Sequence, residues 1–110
     1  MIIATRVLKL RGTTGDSEIP IRIFAPEQNG SAWSCRYEID WPDGPWAHAA
    51  AGADSVQALF LALQMIGTII YTSGYHRSGN LFSEAPGRGY GFPLPQNLRD
   101  QLIGEDAKFC

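Results

Sequence analysis

Residues 54–74 read "DSVQALFLALQMIGTIIYTSG". Apolar side chains recur there at helical spacing, so the stretch predicts one long helix. Asp54 is the expected N-cap, and Gln57, three residues on, completes a capping-box pattern. Gly74 is the expected stop. Val56, Leu59, Phe60, Leu63, Ile66, Gly67 and Ile70 fall on one stripe. Leu61, Met65 and Ile69 lie opposite, mixed with Gln57, Gln64, Thr68 and Thr72. No charged residue occurs from Ser55 to His76. A helix wetted on one side normally carries charge there. This one is therefore expected to be covered on two sides, one by a sheet and one by something else.

Upstream the period changes to two. Residues 2–11 alternate, with Ile3, Thr5 and Val7 opposed to Ala4, Arg6, Leu8 and Leu10. Residues 18–25 alternate on Ile19, Ile21 and Ile23, and Pro26 ends the run ahead of the loop "PEQNGS". Residues 33–41 alternate most cleanly, setting Trp33, Cys35, Tyr37, Ile39 and Trp41 against Ser34, Arg36, Glu38 and Asp40. The turn "PDGP" follows, and then "WAHAAA" as a fourth strand of weak propensity. Short turns between consecutive strands predict an antiparallel meander.

Downstream of the helix, residues 74–97 form a Gly- and Pro-rich irregular arm with Phe82, Tyr90, Phe92 and Leu94 as apolar teeth. Pro95 introduces a short helix over 96–103, and "GEDAKFC" reads as a frayed tail. The fold class is α+β: a three- to four-stranded antiparallel meander with one long helix on one face, the arm, and a short C-terminal helix. The 110 residues fit a single domain, 1–110.

Within the arm, "RGYGF" (Arg88–Phe92) matches the opening of an RNA-recognition signature. That signature sits on a central strand whose aromatics stack bases. Pro93 and Pro95 stand where its later residues belong, and proline cannot donate to a central ladder. The net charge of −2 also lacks the basic field that phosphates require. Nucleic acid is not an expected partner. A membrane is not expected either, because the longest apolar stretch is shorter than a span. The N-terminus shows no signal-peptide pattern, so a cytoplasmic protein is expected.

The two cysteines, Cys35 and Cys110, are too few for a disulfide framework. The spacing of His48, His76, Asp43 and Asp54 supports no metal site, and no cofactor is implied. Ser73 and His76 sit near one helix end without a third orienting group, so no catalytic constellation is legible. Arg6, Arg22 and Arg36 share the polar sheet face, either to meet an anionic partner or to pair with Glu18, Glu38 and Asp40. Trp41 and Trp46 flank the turn, as interface tryptophans do.

The helix Asp54–Gly67 followed by "GFPLP" (Gly91–Pro95) resembles a family of short uncharacterised bacterial proteins, a domain of unknown function. The resemblance points to a bacterial cytoplasmic origin and implies no activity, cofactor or catalytic residue.

These features favour a non-catalytic protein-interaction module, of immunity or accessory type, that binds a protein partner or a second copy of itself as a homodimer. Its contact candidates are Trp41, Trp46, Leu61, Met65, Ile69, Arg6, Arg22 and Arg36. The alternative is a small-ligand-binding or enzymatic domain with a pocket between arm and sheet, using His48, His76, Arg88 and Tyr90.

Overall fold

The computed structural model describes residues 1–110. The fold is α+β, built on an antiparallel sheet. Its strands are β1 (Ile2–Leu10), β2 (Ser17–Phe24), β3 (Glu27–Asn29), β4 (Ala32–Trp41), β5 (Gly44–Gly52) and β6 (Leu81–Phe82). The helices are α1 (Ser55–Tyr71), α2 (Gly74–Arg77) and α3 (Asp106–Phe109), with a 3-10 helix over Gln96–Gln101. The order β4-β2-β1 continues to β6 on one side, while β5 lies along the other side of β4. The meander is thus β1-β2-β4-β5, as the short turns predict. The two further strands are brief: β3 pairs with Ala32–Ser34, and β6 pairs with Lys9 and Leu10. The residues of "PEQNGS" expected as loop therefore include a strand, because Glu27–Asn29 reaches the free start of β4. No helix is long and apolar enough to cross a membrane.

Two compact units are distinguishable. Residues 1–6 and 19–63 form the first, and residues 7–18 and 64–110 the second. In the first, the alternation of β2 and β4 is realised: Ile19, Ile21, Ile23, Cys35, Tyr37 and Ile39 are all buried. The register sets Ile21 opposite Ile39 and Ile23 opposite Tyr37. Ala58 and Ala62 of α1 are fully buried in the same unit. At the end of β5, a Cβ on Gly52 would lie 2.5 Å from the Ala58 nitrogen. Helix and strand approach there as closely as backbones allow, which only small residues permit.

This close approach corrects the expected helix stripe. Val56 is 74% exposed and Phe60 52% exposed. Ile66, Gly67 and Ile70 of the expected stripe are buried, while in the first half of the helix the buried positions are Ala58 and Ala62, on the line that continues one turn at a time to Ile66 and Ile70. Hydrophobicity alone favours the larger side chains, whereas proximity selects the alanines. Leu61, Met65 and Ile69 are half-buried.

The helix start is as expected. The Gln57 N–H donates to Asp54 Oδ1 at 2.7 Å, and Gln57 Oε1 accepts the Ala53 N–H at 2.6 Å. The stop is different. Ser73, not Gly74, ends α1: its hydroxyl donates to the Ile70 carbonyl at 2.7 Å and accepts the His76 N–H at 3.1 Å. Gly74 then opens α2. One serine closes one helix and caps the next, so the chain turns without a left-handed glycine.

In the second unit, Leu8, Ile66, Ile70, Tyr71, Leu81, Phe82, Tyr90, Phe92 and Leu94 are buried. The arm's aromatic teeth therefore cover the second half of α1. The crossing point is Gly67, where a Cβ would lie 2.0 Å from the Pro93 carbonyl oxygen. Alanine in place of glycine inside a helix normally gains about 1 kcal/mol. Here the clash with backbone exceeds that gain. Gly67→Ala is expected to lower stability by about 2 kcal/mol net, read as a shift of the urea midpoint.

Candidate functional site: a buried tyrosine–aspartate–histidine cluster

The tail expected to fray carries the most buried charged residue of the chain. Asp106 is 2% exposed. It opens α3, and its carboxylate reaches back to α1 and the arm. Oδ2 accepts the Tyr71 hydroxyl at 2.5 Å and the Tyr90 N–H at 2.7 Å, and Oδ1 accepts the Gly91 N–H at 2.7 Å. A buried carboxylate is costly unless its lone pairs are satisfied. Here three donors from α1 and the arm satisfy it. The Glu105 N–H also donates to the Arg88 carbonyl at 2.8 Å, so main chain as well as side chain fastens the tail.

Tyr71, Tyr90 and His76 pack around this carboxylate. Tyr71 and Tyr90 meet edge to face with centroids 5.2 Å apart, and His76 lies 4.9 Å from Tyr71 and 5.5 Å from Tyr90. Ser73 fixes His76 by capping α2, and the Tyr90 hydroxyl stands 2.5 Å from His76 Nδ1. Burial pushes the imidazole pKa down, and the neighbouring Arg77 charge adds to the effect. Nδ1 and the Tyr90 hydroxyl share one hydrogen bond, and the hydroxyl also donates to the Leu81 carbonyl at 3.4 Å. Burial pushes the Tyr90 phenol up to about 12, and the Asp106 charge contributes. Tyr71 is pushed up further, by burial first and then by its bond to Asp106. Each phenol therefore holds its proton at neutral pH, and hydrogen bonds join Tyr71 and the arm to Asp106 and Tyr90 to His76.

Of the ligand candidates named from sequence, His76 and Tyr90 are brought together. Arg88 contributes its carbonyl to the tail, while its exposed guanidinium lies 3.9 Å from Glu84. His48 belongs to the first unit. It stacks on Trp46 with centroids 6.3 Å apart and rings inclined by 15°. Tyr37, opposite His48 in the register, is fully buried, and its hydroxyl has no hydrogen-bond partner. Burial pushes the Tyr37 phenol up. The Trp46 indole N–H offsets part of that rise without reaching hydrogen-bonding geometry.

On the polar sheet face, Arg22 donates to Glu38 at 3.0 Å and to Asp40 at 2.7 Å, and Arg36 donates to Glu38 at 2.7 Å. Two of the three arginines are thus engaged by cross-strand and same-strand carboxylates. Arg6 is exposed on β1. Trp41 is half-buried and Trp46 is 45% exposed. No group of three His, Cys, Asp or Glu side chains gathers as a metal site requires.

A family model described as a domain of unknown function matches residues 4–94. The chain belongs to the DUF6968 family. No curated protein and no solved structure matches it. The DUF6968 match includes Tyr71, His76 and Tyr90 and ends before Asp106. Sequence reasoning missed Asp106 because its partners are distant in the chain and nothing in "GEDAKFC" signals a buried acid.

Asp106→Ala leaves a hydroxyl and two buried N–H groups without an acceptor. The expected loss is about 3–5 kcal/mol in urea unfolding, with faster proteolysis of the tail. His76 gives a pH signature. Its folded pKa is depressed, so its contribution is present above the unfolded value of about 6.5 and is lost as pH falls below it. Unfolding free energy is expected to drop between about pH 7 and pH 5 in the parent chain, and His76→Gln should flatten that slope. An unchanged slope would assign the loss to other groups.

Proposed function

We propose that this chain is a non-catalytic protein-interaction module whose contact element is the β5 edge of the first unit. The observation that carries the reading is the strand itself. β5 runs for nine residues, pairs along its length with β4, and has no strand on its other side. It carries no Asp, Glu, Lys or Arg. Edge strands in folded proteins are normally short, charged, bulged or covered, because an open edge is a template for another strand. A long uncharged edge fits the mode of recognition in which a partner's extended segment joins the sheet.

Trp46 supports the reading as an aromatic anchor beside that edge. Val56 and Phe60, exposed on α1 in the same unit, add apolar area of the kind interfaces cover. The second unit supports it from the opposite direction. Its titratable cluster is committed to holding helix, arm and tail together, which is a structural assignment for those groups. A bacterial cytoplasmic setting accompanies this reading.

A photo-crosslinking residue placed at Trp46 tests the proposal in cells, with one at Thr13, in the turn after β1, as the control. A discrete product of higher mass is expected from position 46 and none from position 13. No product at position 46, or equal products at both, would overturn the reading.

A further inference from the structure

The middle of β5 shows which way its backbone faces. The Ala49 N–H donates to Nδ1 of its neighbour His48 at 2.9 Å, and the same nitrogen lies 3.1 Å from the Ala49 carbonyl oxygen. The N–H and C=O of one residue in an antiparallel strand point to the same side. Ala49 therefore faces away from β4, and the period of two turns Pro45, Ala47 and Ala51 the same way. Pro45 has no N–H to offer, so the free edge presents donors at Ala47, Ala49 and Ala51 and carbonyls at all four positions. Only the Ala49 donor is met, by the imidazole. An open depression of about 350 Å³ lies against Arg36, Ala47, His48 and Ala49.

This pattern is self-complementary. An antiparallel pair forms hydrogen bonds between residues that both face the seam. If two copies of β5 meet about a two-fold axis at His48, the central residue of the strand, Ala47 stands opposite Ala49 of the second copy. Pro45 stands opposite its Ala51. Every outward donor then has a carbonyl opposite it, giving about six main-chain bonds. The same register sets Trp46 opposite Ala50, a large side chain against a small one on the same face. Because β5 is uncharged, no like charges oppose each other along the strand pair.

We propose that β5 pairs antiparallel with β5 of a second copy of this chain, about a two-fold axis at His48, and joins the two sheets into one. The inference rests on the interaction-module reading and names its partner. His48 acts as the guard of the seam: its ring must leave the Ala49 N–H before that donor can reach the second copy.

Sedimentation equilibrium of the full chain tests this. A mass double that of one chain is expected as concentration rises. Ala47→Pro removes an outward donor without touching the bonds to β4, since proline is tolerated where its nitrogen faces solvent. It is expected to weaken association at least about tenfold with the unfolding midpoint little changed. A parent chain that stays monomeric, or a folded Ala47→Pro chain that still dimerises, overturns the proposal.

Should that variant fold poorly, charge pairs decide. Ala47→Lys with Ala49→Lys places ammonium groups opposite each other across the seam, and Ala47→Glu with Ala49→Glu does the same with carboxylates. Each double variant alone is expected to be monomeric, and an equal mixture to recover the dimer. A mixture that stays monomeric while the parent dimerises overturns the register. Crosslinks from Trp46 to a different protein, with a monomeric parent chain, would leave the module reading standing and remove self-pairing. Absence of both would remove both.

Discussion

The constraint that organises this molecule is a helix without charge. From Ser55 to Tyr71 α1 has no acidic or basic side chain, so most of its surface is better covered than wetted. The fold answers by bringing backbone against it in each unit. In the first, Gly52 lies against Ala58; in the second, the Pro93 carbonyl lies against Gly67. Both contacts exclude even a methyl group. Packing of this kind is specified by small residues, because every added carbon pushes an entire segment outward. The larger residues Val56 and Phe60 are left exposed for the same reason.

Covering a helix with an irregular arm creates a second problem. The arm's backbone polar groups are buried without a strand partner to satisfy them. Asp106 resolves it at Tyr90 and Gly91, whose N–H groups have no regular ladder to join. A carboxylate suits this task better than a neutral acceptor. Its two oxygens can accept several bonds, and charge-assisted bonds are stronger than neutral ones. The Tyr71 hydroxyl adds a third donor, so the charge is spread over helix and arm. Burial, with the Arg77 charge beside it, pushes the His76 pKa down, and burial together with the Asp106 carboxylate raises the two phenols, since a second negative charge is disfavoured there.

What could be read from sequence was whatever depends on neighbours in the chain. The alternation of Ile19, Ile21 and Ile23 and of Cys35, Tyr37 and Ile39 named the buried sheet face, and Asp54 with Gln57 named the helix start. The meander and the covering arm followed from them. What escaped depends on residues far apart. Ala58 and Ala62 are the buried stripe because Gly52 lets the strand come close, a fact of tertiary distance. Asp106 meets Tyr71 across 35 positions. The short strands β3 and β6 have no alternation of their own and exist because a neighbouring strand has bonds to share. Of the four ligand candidates, His76 and Tyr90 are adjacent through such a distant contact, whereas His48 belongs to the other unit.

The two ends of the sheet are treated differently. β1 gives part of its far side to β6, a two-residue strand that borrows Lys9 and Leu10. β5 receives no such strand. An alanine-rich edge has weak intrinsic preference for β structure, so β5 owes its form to β4, which pairs with it from Trp33 to Trp41. Such a strand is held on one side and gains by being held on the other. The devices that blunt edges elsewhere are nearly absent: one proline at its start, and one imidazole folded back over a single N–H. A guard made of one side chain bond can be exchanged for a main-chain bond at small cost, whereas a lysine or a bulge cannot be removed at all. The chemistry of this edge is that of a seam held closed lightly.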